Sequence, residues 1–453
     1  MNRRTQYGVL NGYAKFLDST KDSGKLSCLR EILDFYLPYA ASVVSSEAFW
    51  QEHVEESDDF EPNKNWIPRV VVDAAKMLVA NDKIELGDED FKHVYDAILA
   101  IKGHATGIEP SDDPMTSAIN NSRGIAVEAF LQFVLRRCRD ADKSAIGHTE
   151  EWGELQELVE AELAGCVNGK ALESSTLYAC YLAQLQYADA RWVEINIAKI
   201  FPFDHLANVL AALAGLSFAN TTPHVYAALS NANIPFQALA LDDLVGSARE
   251  RLIKRVALAY IWGNETLDSP VVDAMFSDAR IDDLLELAKT IGRWSDEKLS
   301  KEQIVRAKTL ASALVGFGIQ EPSRRRVLLS TASRFIGFAI GPTDADMSWL
   351  LSVAPYAQDS HESDHFLEAL NRIVPEDAEK SFQLLCAFMS NYVPGYDYRD
   401  RLQALIRKLD SAGFHTQIIP IVNKLVMSGG GPKWVELYKE LGGKALPSDP
   451  LEE

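Results

Sequence analysis

Apolar residues recur at intervals of three and four positions along almost the whole chain, and convincing stretches of strand-like alternation are absent. Because an α-helix turns once every 3.6 residues, this spacing places the apolar side chains on one face of each helix. The pattern predicts an all-α protein in which roughly twenty helices follow one another.

Short turns separate the predicted helices. In LIKRVALAYIWGNETLDSPVVDAMFSDARIDDLLELAKTIGRW, Gly263 has the position of a glycine that ends one helix, and Ser269 with Pro270 begins the next. Helix, short turn and helix repeat in this way along the chain, which predicts an irregular α-solenoid of stacked helical hairpins, similar to HEAT and TPR arrays. A compact helical bundle is the alternative, because no fixed repeat consensus is found.

Two parts are expected within this array. Residues 1–110 form an N-terminal helical segment, and residues 115–453 form the helical-repeat array, continuous with the first segment. GHATGIEPSDDP, at 103–114, provides the break between them.

The charge balance narrows the classes of partner. The 453 residues carry 65 acidic and 45 basic side chains, a net charge of -20, which disfavours nonspecific binding to nucleic acid or to an anionic membrane and favours a basic partner. The five cysteines are scattered without a CxxC pair, as in reduced cytoplasmic proteins. No targeting or transmembrane segment is recognised, and a cytoplasmic location is expected.

One arginine stands out within SAINNSRGIAVEAFLQFVLRR, residues 117–137. On a helical projection, Arg123 falls inside the apolar arc formed by Ile119, Ala126, Phe130, Phe133 and Val134. An unpaired buried guanidinium is costly, so we expect Arg123 to pair with a carboxylate on a neighbouring helix, while Gly124 lets another helix approach closely. Both residues are predicted to be structural.

Phosphate binding by the backbone of residues 120–123 is the functional alternative. It requires free amide groups at the start of a helix, whereas a helix beginning near Pro114 is expected to cover these residues. No phosphate-loop, dinucleotide-binding or serine-hydrolase motif occurs, so no cofactor is expected.

HESDH, at 361–365, matches the HExxH pattern of zinc peptidases. In that pattern two histidines one helical turn apart bind zinc and the glutamate acts as a general base, which would assign His361, Glu362 and His365 to a metal site. The apolar stripe of the following helix lies on the other side, however, so both histidines are expected to face water. A solvated helix start is the preferred interpretation, and no metal is assigned.

Two short basic runs, RRCR at 136–139 and SRRRV at 323–327, are the remaining candidates for contact with nucleic acid. Neither is interleaved with aromatic residues as in a base-stacking platform. Solvated faces or pairing within the protein are preferred, and no nucleic acid is expected as a partner.

Three stretches together resemble a known family: AINNSRGIAVEAFLQF, the segment quoted above around Gly263, and RDRLQALIRKLDSAGFHTQIIPIVNKLVMSGGGPKWVELYKEL. Their order and character resemble the carboxy-terminal helical region of bacterial antiphage STAND NTPases and of related sirtuin-associated defence proteins. The resemblance covers residues 115–441 and consists of helix-packing patterns.

The resemblance implies a sensor. In the STAND family the helical repeats recognise a phage protein, such as the large terminase subunit or the portal, and thereby drive oligomerisation of the NTPase. No P-loop or effector motif occurs in the 453 residues, so the sequence is compatible with the sensing part of a larger assembly carrying an NTPase or effector, or with a standalone adaptor.

A non-enzymatic protein-binding module of an antiviral system is therefore the leading hypothesis. A zinc metallopeptidase using HESDH and a general protein-interaction scaffold are the alternatives. Binding-surface residues are not assigned, because a single sequence does not distinguish a functional exposed residue from a tolerated one.

Overall fold

The computed structural model describes most of the chain, namely residues 2–19, 29–52, 62–64, 66–143, 147–357, 360–391, 393, 397–428 and 431–442. Throughout these residues the regular secondary structure is helical and contains no β-strand. The all-α class predicted from the sequence is confirmed.

The helices form two compact units, Met1–Leu252 and Ile253–Glu453, and the boundary between them falls within α15. The helices up to this boundary are α1 Arg3–Ser19, α2 Leu29–Val44, α3 Glu47–Trp50, α4 Ile67–Ala80, α5 Asp88–His104, α6 Pro114–Asn120, α7 Ser122–Asp142, α8 Thr149–Val167, α9 Leu172–Cys180, α10 Leu182–Ala188, α11 Ala190–Ile200, α12 Leu206–Leu216, α13 Pro223–Asn231, α14 Ile234–Leu239 and α15 Gly246–Trp262.

The helices of the second unit continue this numbering. They are α16 Pro270–Asp273, α17 Ile281–Gly292, α18 Lys301–Gly318, α19 Arg326–Ser333, α20 Asp344–Val353, α21 Ser360–Ile373, α22 Ala378–Phe388, α23 Arg401–Leu409, α24 His415–Met427 and α25 Pro432–Glu440. Two short 3-10 helices matter for the site described below, Arg293–Asp296 after α17 and Arg334–Phe338 after α19.

Packing in the first unit is mostly between helices close together along the chain. The helix α4 packs against α1, α5 and α7, α7 packs against α8 and α9, and α9 packs against α12. The apolar face of α7 is enclosed over its whole length, from Ile125 to Cys138. The most extensive contacts join helices three apart in the chain, such as α4 with α7 and α9 with α12. A solenoid of the HEAT or TPR type stays a prediction.

The predicted helix from Pro114 through Arg137 is instead two helices. The chain breaks at Asn121, and α7 begins at Ser122. The Asn121 side chain caps α7 by accepting hydrogen bonds from the amides of Arg123 and Gly124 at 2.9 and 3.2 Å. Capping by asparagine satisfies backbone donors that the first helical turn leaves open, so the expectation of one continuous helix is wrong. Ile119, expected on the apolar arc, lies on α6 and is 40% exposed.

In the second unit, α19 and the 3-10 helix that extends it occupy a central place. The helix α19 packs against α17, α18 and α20, while the extension Arg334–Phe338 packs against α21 and against the 3-10 helix Arg293–Asp296. Behind α21, the rings of Phe366 and Phe388 stack with centroids 5.6 Å apart in the core. Three elements, α17, α19 and α21, thereby come together with their polar faces around a common space.

The helices of the described residues include none whose length and apolarity would let it cross a membrane. The cysteines in that part of the chain, Cys138, Cys166, Cys180 and Cys386, are free thiols, and Cys28 lies outside the described residues.

Candidate functional site

Arg123 lies in the first turn of α7 and contacts three neighbouring helices. Its guanidinium pairs with Glu173 of α9 and lies 3.5 Å from Glu162 of α8, and its Nε donates a hydrogen bond of 3.2 Å to the carbonyl of Lys102 on α5. The Glu173 side chain is 0% exposed and also accepts a 3.1 Å hydrogen bond from the Ile108 amide. The arginine therefore neutralises a carboxylate that has no access to water.

A second cation completes this network. Lys102 Nζ lies 2.6 Å from Glu162 and 4.2 Å from the centre of the Phe130 ring, and Ser174 donates a 2.7 Å hydrogen bond to Glu162. Burial would raise the pKa of Glu162, but Lys102, the Ser174 hydrogen bond and Arg123 together hold that pKa below its ordinary value. Each charge is matched within the network, which suits a role in holding α5, α7, α8 and α9 together.

Gly124 lies where α7 turns against the end of α6. A Cβ atom at this position would come closer than 3.0 Å to the carbonyl oxygen of Ala118, a distance that real Cβ atoms essentially never show. The two helices meet backbone to backbone here, and only glycine permits that approach. Because Asn121 already occupies the Arg123 and Gly124 amides, the backbone here is not presented to a phosphate.

HESDH begins α21, and the structure separates its two histidines. His361 is exposed, whereas His365 is buried, with 8% of its surface exposed. The expectation that both histidines face water is wrong for His365, because the 3-10 helix Arg334–Phe338 packs against α21 and the 3-10 helix Arg293–Asp296 places two side chains beside the His365 ring. Gly337 belongs to this cover, and a Cβ there would lie 3.2 Å from the His365 ring.

His365 lies beside a serine and an aspartate. Its Nε2 is 3.2 Å from Ser295 Oγ and 3.6 Å from Asp296 Oδ2, while its Nδ1 is buried with no hydrogen-bond partner within the described residues. A serine nucleophile requires the carboxylate on the ring nitrogen opposite the serine, to orient the imidazole. Here both groups face the same nitrogen, so the geometry does not form a catalytic triad.

His361 and Glu362 instead line an open cavity in the second unit. The cavity has a volume of about 590 Å³, and we call it the cationic cavity; the residues around it are Lys289, Arg293, Arg326, Val327, Ser330, Thr331, Arg334, Tyr356, His361 and Glu362.

Helical spacing explains why the cations converge. Lys289 near the end of α17 and Arg293 at the start of the following 3-10 helix are four residues apart. Arg326, Ser330 and Arg334 follow one another at intervals of four along α19 and its 3-10 extension. Side chains four positions apart lie on the same face of a helix. Because α17 packs against α19, the two stripes face the same space.

Basic residues are the most numerous charged residues of the lining that the structure describes. Four are lysine or arginine, of which Lys289, Arg293 and Arg326 are exposed, and one is a carboxylate, Glu362, which lies 3.5 Å from Arg334. The Nε of Arg334 and the hydroxyl of Ser330 are buried and find no hydrogen-bond partner in the described part of the chain. Buried donors of this kind are normally satisfied, but both atoms lie below the surface and are not presented to the open cavity.

Such a lining favours an anion over a divalent metal ion. Two of the three HExxH residues lie among four cations, and those cations would repel zinc. Within the described residues no group of three or more histidine, cysteine, aspartate or glutamate side chains is arranged to hold a metal ion.

The two basic runs are largely used inside the protein. Arg136 is 1% exposed and donates to the carbonyls of Asn81 and Ile84 at 2.7 and 2.6 Å. Arg325 is 6% exposed and pairs with Asp278 at 3.0 Å. The neighbouring Arg326 is exposed and lines the cationic cavity.

Comparison with known proteins adds no assignment: no family model, curated protein or solved structure matches the chain. The cavity was not found from the sequence, since its lysine and arginine residues come from two separate segments and form no contiguous motif. The four-residue spacing of arginines and lysines on α17 and α19 was the available signal.

Proposed function

We propose that the protein is a non-enzymatic helical-repeat module that binds another protein. The observation that supports this most is the packing of its helices, in which α4, α7, α9 and α12 each rest mainly on helices no more than three places away in the chain. Arrays built in this way present long continuous surfaces suited to a folded partner. The interior charges around Arg123 are matched among themselves and serve this architecture.

The resemblance of residues 115–441 to the sensor regions of antiphage STAND NTPases gives the proposal its biological setting. On that basis the partner is a phage protein, such as the large terminase subunit or the portal, and the chain acts in the bacterial cytoplasm with an NTPase or effector. The net charge of -20 favours a basic partner through electrostatic steering.

The decisive experiment mixes the purified protein with a panel of purified large terminase subunits and portal proteins, followed by size-exclusion chromatography at physiological salt. A stoichiometric complex with one phage protein is expected, and the major capsid protein of the same phage provides the negative control. Failure of every panel member to co-elute, together with an unchanged plaque count in cells that express the protein, contradicts a sensing role.

The two alternatives predict different results with the same preparation. A zinc peptidase requires about one tightly held zinc ion per chain, which elemental analysis of protein purified without added zinc would detect. A general scaffold instead co-purifies with a host protein from uninfected cells and does not exchange it for a phage protein.

A further inference from the structure

We infer that His148 is a pH-dependent clamp, whose protonated ring joins the end of α7 and the start of α8 to the end of α10. His148 is the N-cap residue of α8, which begins at Thr149. All three helices belong to the first unit, so the clamp acts within one compact body. The inference goes beyond the proposed protein binding and does not depend on it.

Both nitrogens of the His148 ring face hydrogen-bond acceptors. Nδ1 lies 2.7 Å from Asp142 Oδ1 at the end of α7, and Nε2 lies 3.1 Å from the carbonyl oxygen of Ala188 at the end of α10. A neutral imidazole carries one N–H, whereas the protonated ring carries two. The protonated ring therefore donates both hydrogen bonds, while a neutral ring leaves one acceptor facing a nitrogen lone pair.

Tyr187 joins the carboxylate to the same cluster. Its hydroxyl donates a hydrogen bond to Asp142 Oδ2, and the centre of its ring lies 4.9 Å from that of the His148 ring. One carboxylate oxygen thus accepts from the tyrosine and the other from the histidine, which orients the carboxylate towards the imidazole. The His148 side chain is 20% exposed, so the ring exchanges protons with water while the protein stays folded.

Opposing effects act on the charge of this histidine. Burial acts to lower the pKa of His148, but the hydrogen bonds to Asp142 and Ala188 and the charge of Asp142 raise that pKa above its ordinary value of 6.5. The dipole of α8 disfavours a positive charge at its N-terminus, yet this effect is weaker than a charge-assisted hydrogen bond. Because the pKa is raised in the folded protein, the clamp is complete below the pKa of the unfolded chain and is lost as the pH rises through the folded value.

Other charged and titratable groups lie on the elements packed around this corner: Cys138 and Arg139 of α7, Glu150 and Glu151 of α8, Cys180 of α9, Asp189 at the start of α11 and His224 of α13. Arg139 pairs with Asp82 at 3.0 Å, and Glu151 pairs with Arg137. Asp189 accepts a hydrogen bond of 3.1 Å from the Trp152 indole. The charge that acts on the His148 ring is therefore chiefly that of Asp142.

NMR titration of the full chain, labelled with carbon-13 at the histidine Cε1 atoms, tests the protonation of the ring. The signal that disappears in His148→Gln belongs to His148. We expect its midpoint to lie above about 6.5 in the wild type, and to move to lower pH in Asp142→Asn because the amide carries no charge. A wild-type midpoint at or below the ordinary value, or an unchanged midpoint in Asp142→Asn, overturns the inference.

Hydrogen–deuterium exchange with mass spectrometry tests whether the ring holds the helices together. Exchange is compared at about pH 6 and about pH 8, after correction for the intrinsic exchange rate. Peptides from the start of α8 and the end of α10 should be roughly threefold to tenfold more protected at the lower pH, because a neutral ring loses a hydrogen bond. Equal protection at the two pH values contradicts the clamp, and this wild-type comparison requires no variant.

A matched pair of variants separates the clamp from a general effect of pH. His148→Gln should remove the difference in protection at α8 and α10. His415→Gln in the second unit is the control, because His415 Nδ1 also lies 2.7 Å from a carboxylate oxygen, that of Asp410, and it should retain the wild-type difference. Persistence of the difference in His148→Gln, or its loss in both variants, contradicts a local clamp at His148.

Discussion

Arg123 on α7 and Glu173 on α9 form an ion pair in which the carboxylate is 0% exposed and the guanidinium 22% exposed. The pair is asymmetric, because the arginine reaches water at one side and the glutamate does not. Removing the arginine would leave a buried carboxylate with the Ile108 amide as its remaining hydrogen-bond donor and no countercharge, which is the costly way to break a buried pair.

Arg123→Met is therefore expected to lower the free energy of unfolding by about 3–5 kcal/mol. Methionine retains the length of the apolar stem, so the loss reports chiefly on the stranded Glu173 charge. Urea denaturation followed by circular dichroism and tryptophan fluorescence measures it. The double variant Arg123→Met/Glu173→Gln should recover part of the loss, since no buried charge then remains.

Arg139→Met provides the control on the same helix. Arg139 pairs with Asp82 at 3.0 Å, and the two side chains are 29% and 48% exposed. A pair open to water contributes less than about 1 kcal/mol, so the control should differ little from wild type. If Arg123→Met cost no more than Arg139→Met, the structural assignment of Arg123 would be wrong.

Close packing of α12 on α9 depends on Gly215. A Cβ atom at this position would come closer than 3.0 Å to the carbonyl oxygen of Thr176, which is backbone and cannot turn aside. Gly215→Ala is expected to lower the free energy of unfolding by about 1–3 kcal/mol because the helices must separate. Thermal and urea unfolding of the variant measure this loss.

Gly153 in α8 is the matched control, because a Cβ there meets nothing within 4 Å. Alanine in an exposed helical position is favoured over glycine by roughly 0.5–1 kcal/mol, so Gly153→Ala should stabilise the protein. The same substitution thus has opposite signs at the two positions. A stabilising Gly215→Ala would show that α9 and α12 are not in backbone contact.

The all-α class could be predicted from the sequence because the spacing of apolar residues is a local property of each helix and does not depend on how the helices pack. The sequence also contained a signal for the break at Asn121, because Asn120, Asn121 and Ser122 are all residue types that favour the N-cap position of a helix. The apolar residues around these positions nevertheless led to the prediction of one continuous helix. The position of Arg123 within the apolar arc indicated the need for a partner, but which carboxylates would meet it depended on the packing of α8 and α9.

The cationic cavity and the environment of His365 could not be predicted in the same way. The apolar stripe of α21 identifies one buried face of this helix in the sequence. The other buried face carries His365 and is covered by the 3-10 helices of residues 293–296 and 334–338, which are distant in the sequence. Similarly, Arg325 and Arg326 are adjacent in the chain, yet one pairs inside the protein and the other lines the cavity. Contacts between elements distant in the sequence decide which of these side chains are buried and which line the cavity. Such contacts cannot be inferred from the pattern of a single sequence.

Burial of His365 makes stability depend on pH. Burial is the main cause that lowers the pKa of His365 below its ordinary value of 6.5, and Arg334 and Arg372 add to the lowering, while Asp296 and Glu368 oppose it. The folded protein therefore holds this histidine neutral at a pH where the unfolded chain would protonate it. The resulting stabilisation is complete when the pH lies above the pKa that the histidine has in the unfolded chain, and it is lost as the pH falls below about 6.5.

His365→Gln is expected to reduce this pH dependence. The free energy of unfolding, measured in urea at about pH 7.5 and about pH 5.5, should fall with pH less steeply in His365→Gln than in the wild type, because one proton-binding site of the unfolded chain is removed. His224→Gln, at an exposed position on α13 away from the cationic cavity, is the control and should retain the wild-type slope. An unchanged slope in His365→Gln, or an equal reduction in both variants, would show that His365 is not held neutral by the fold.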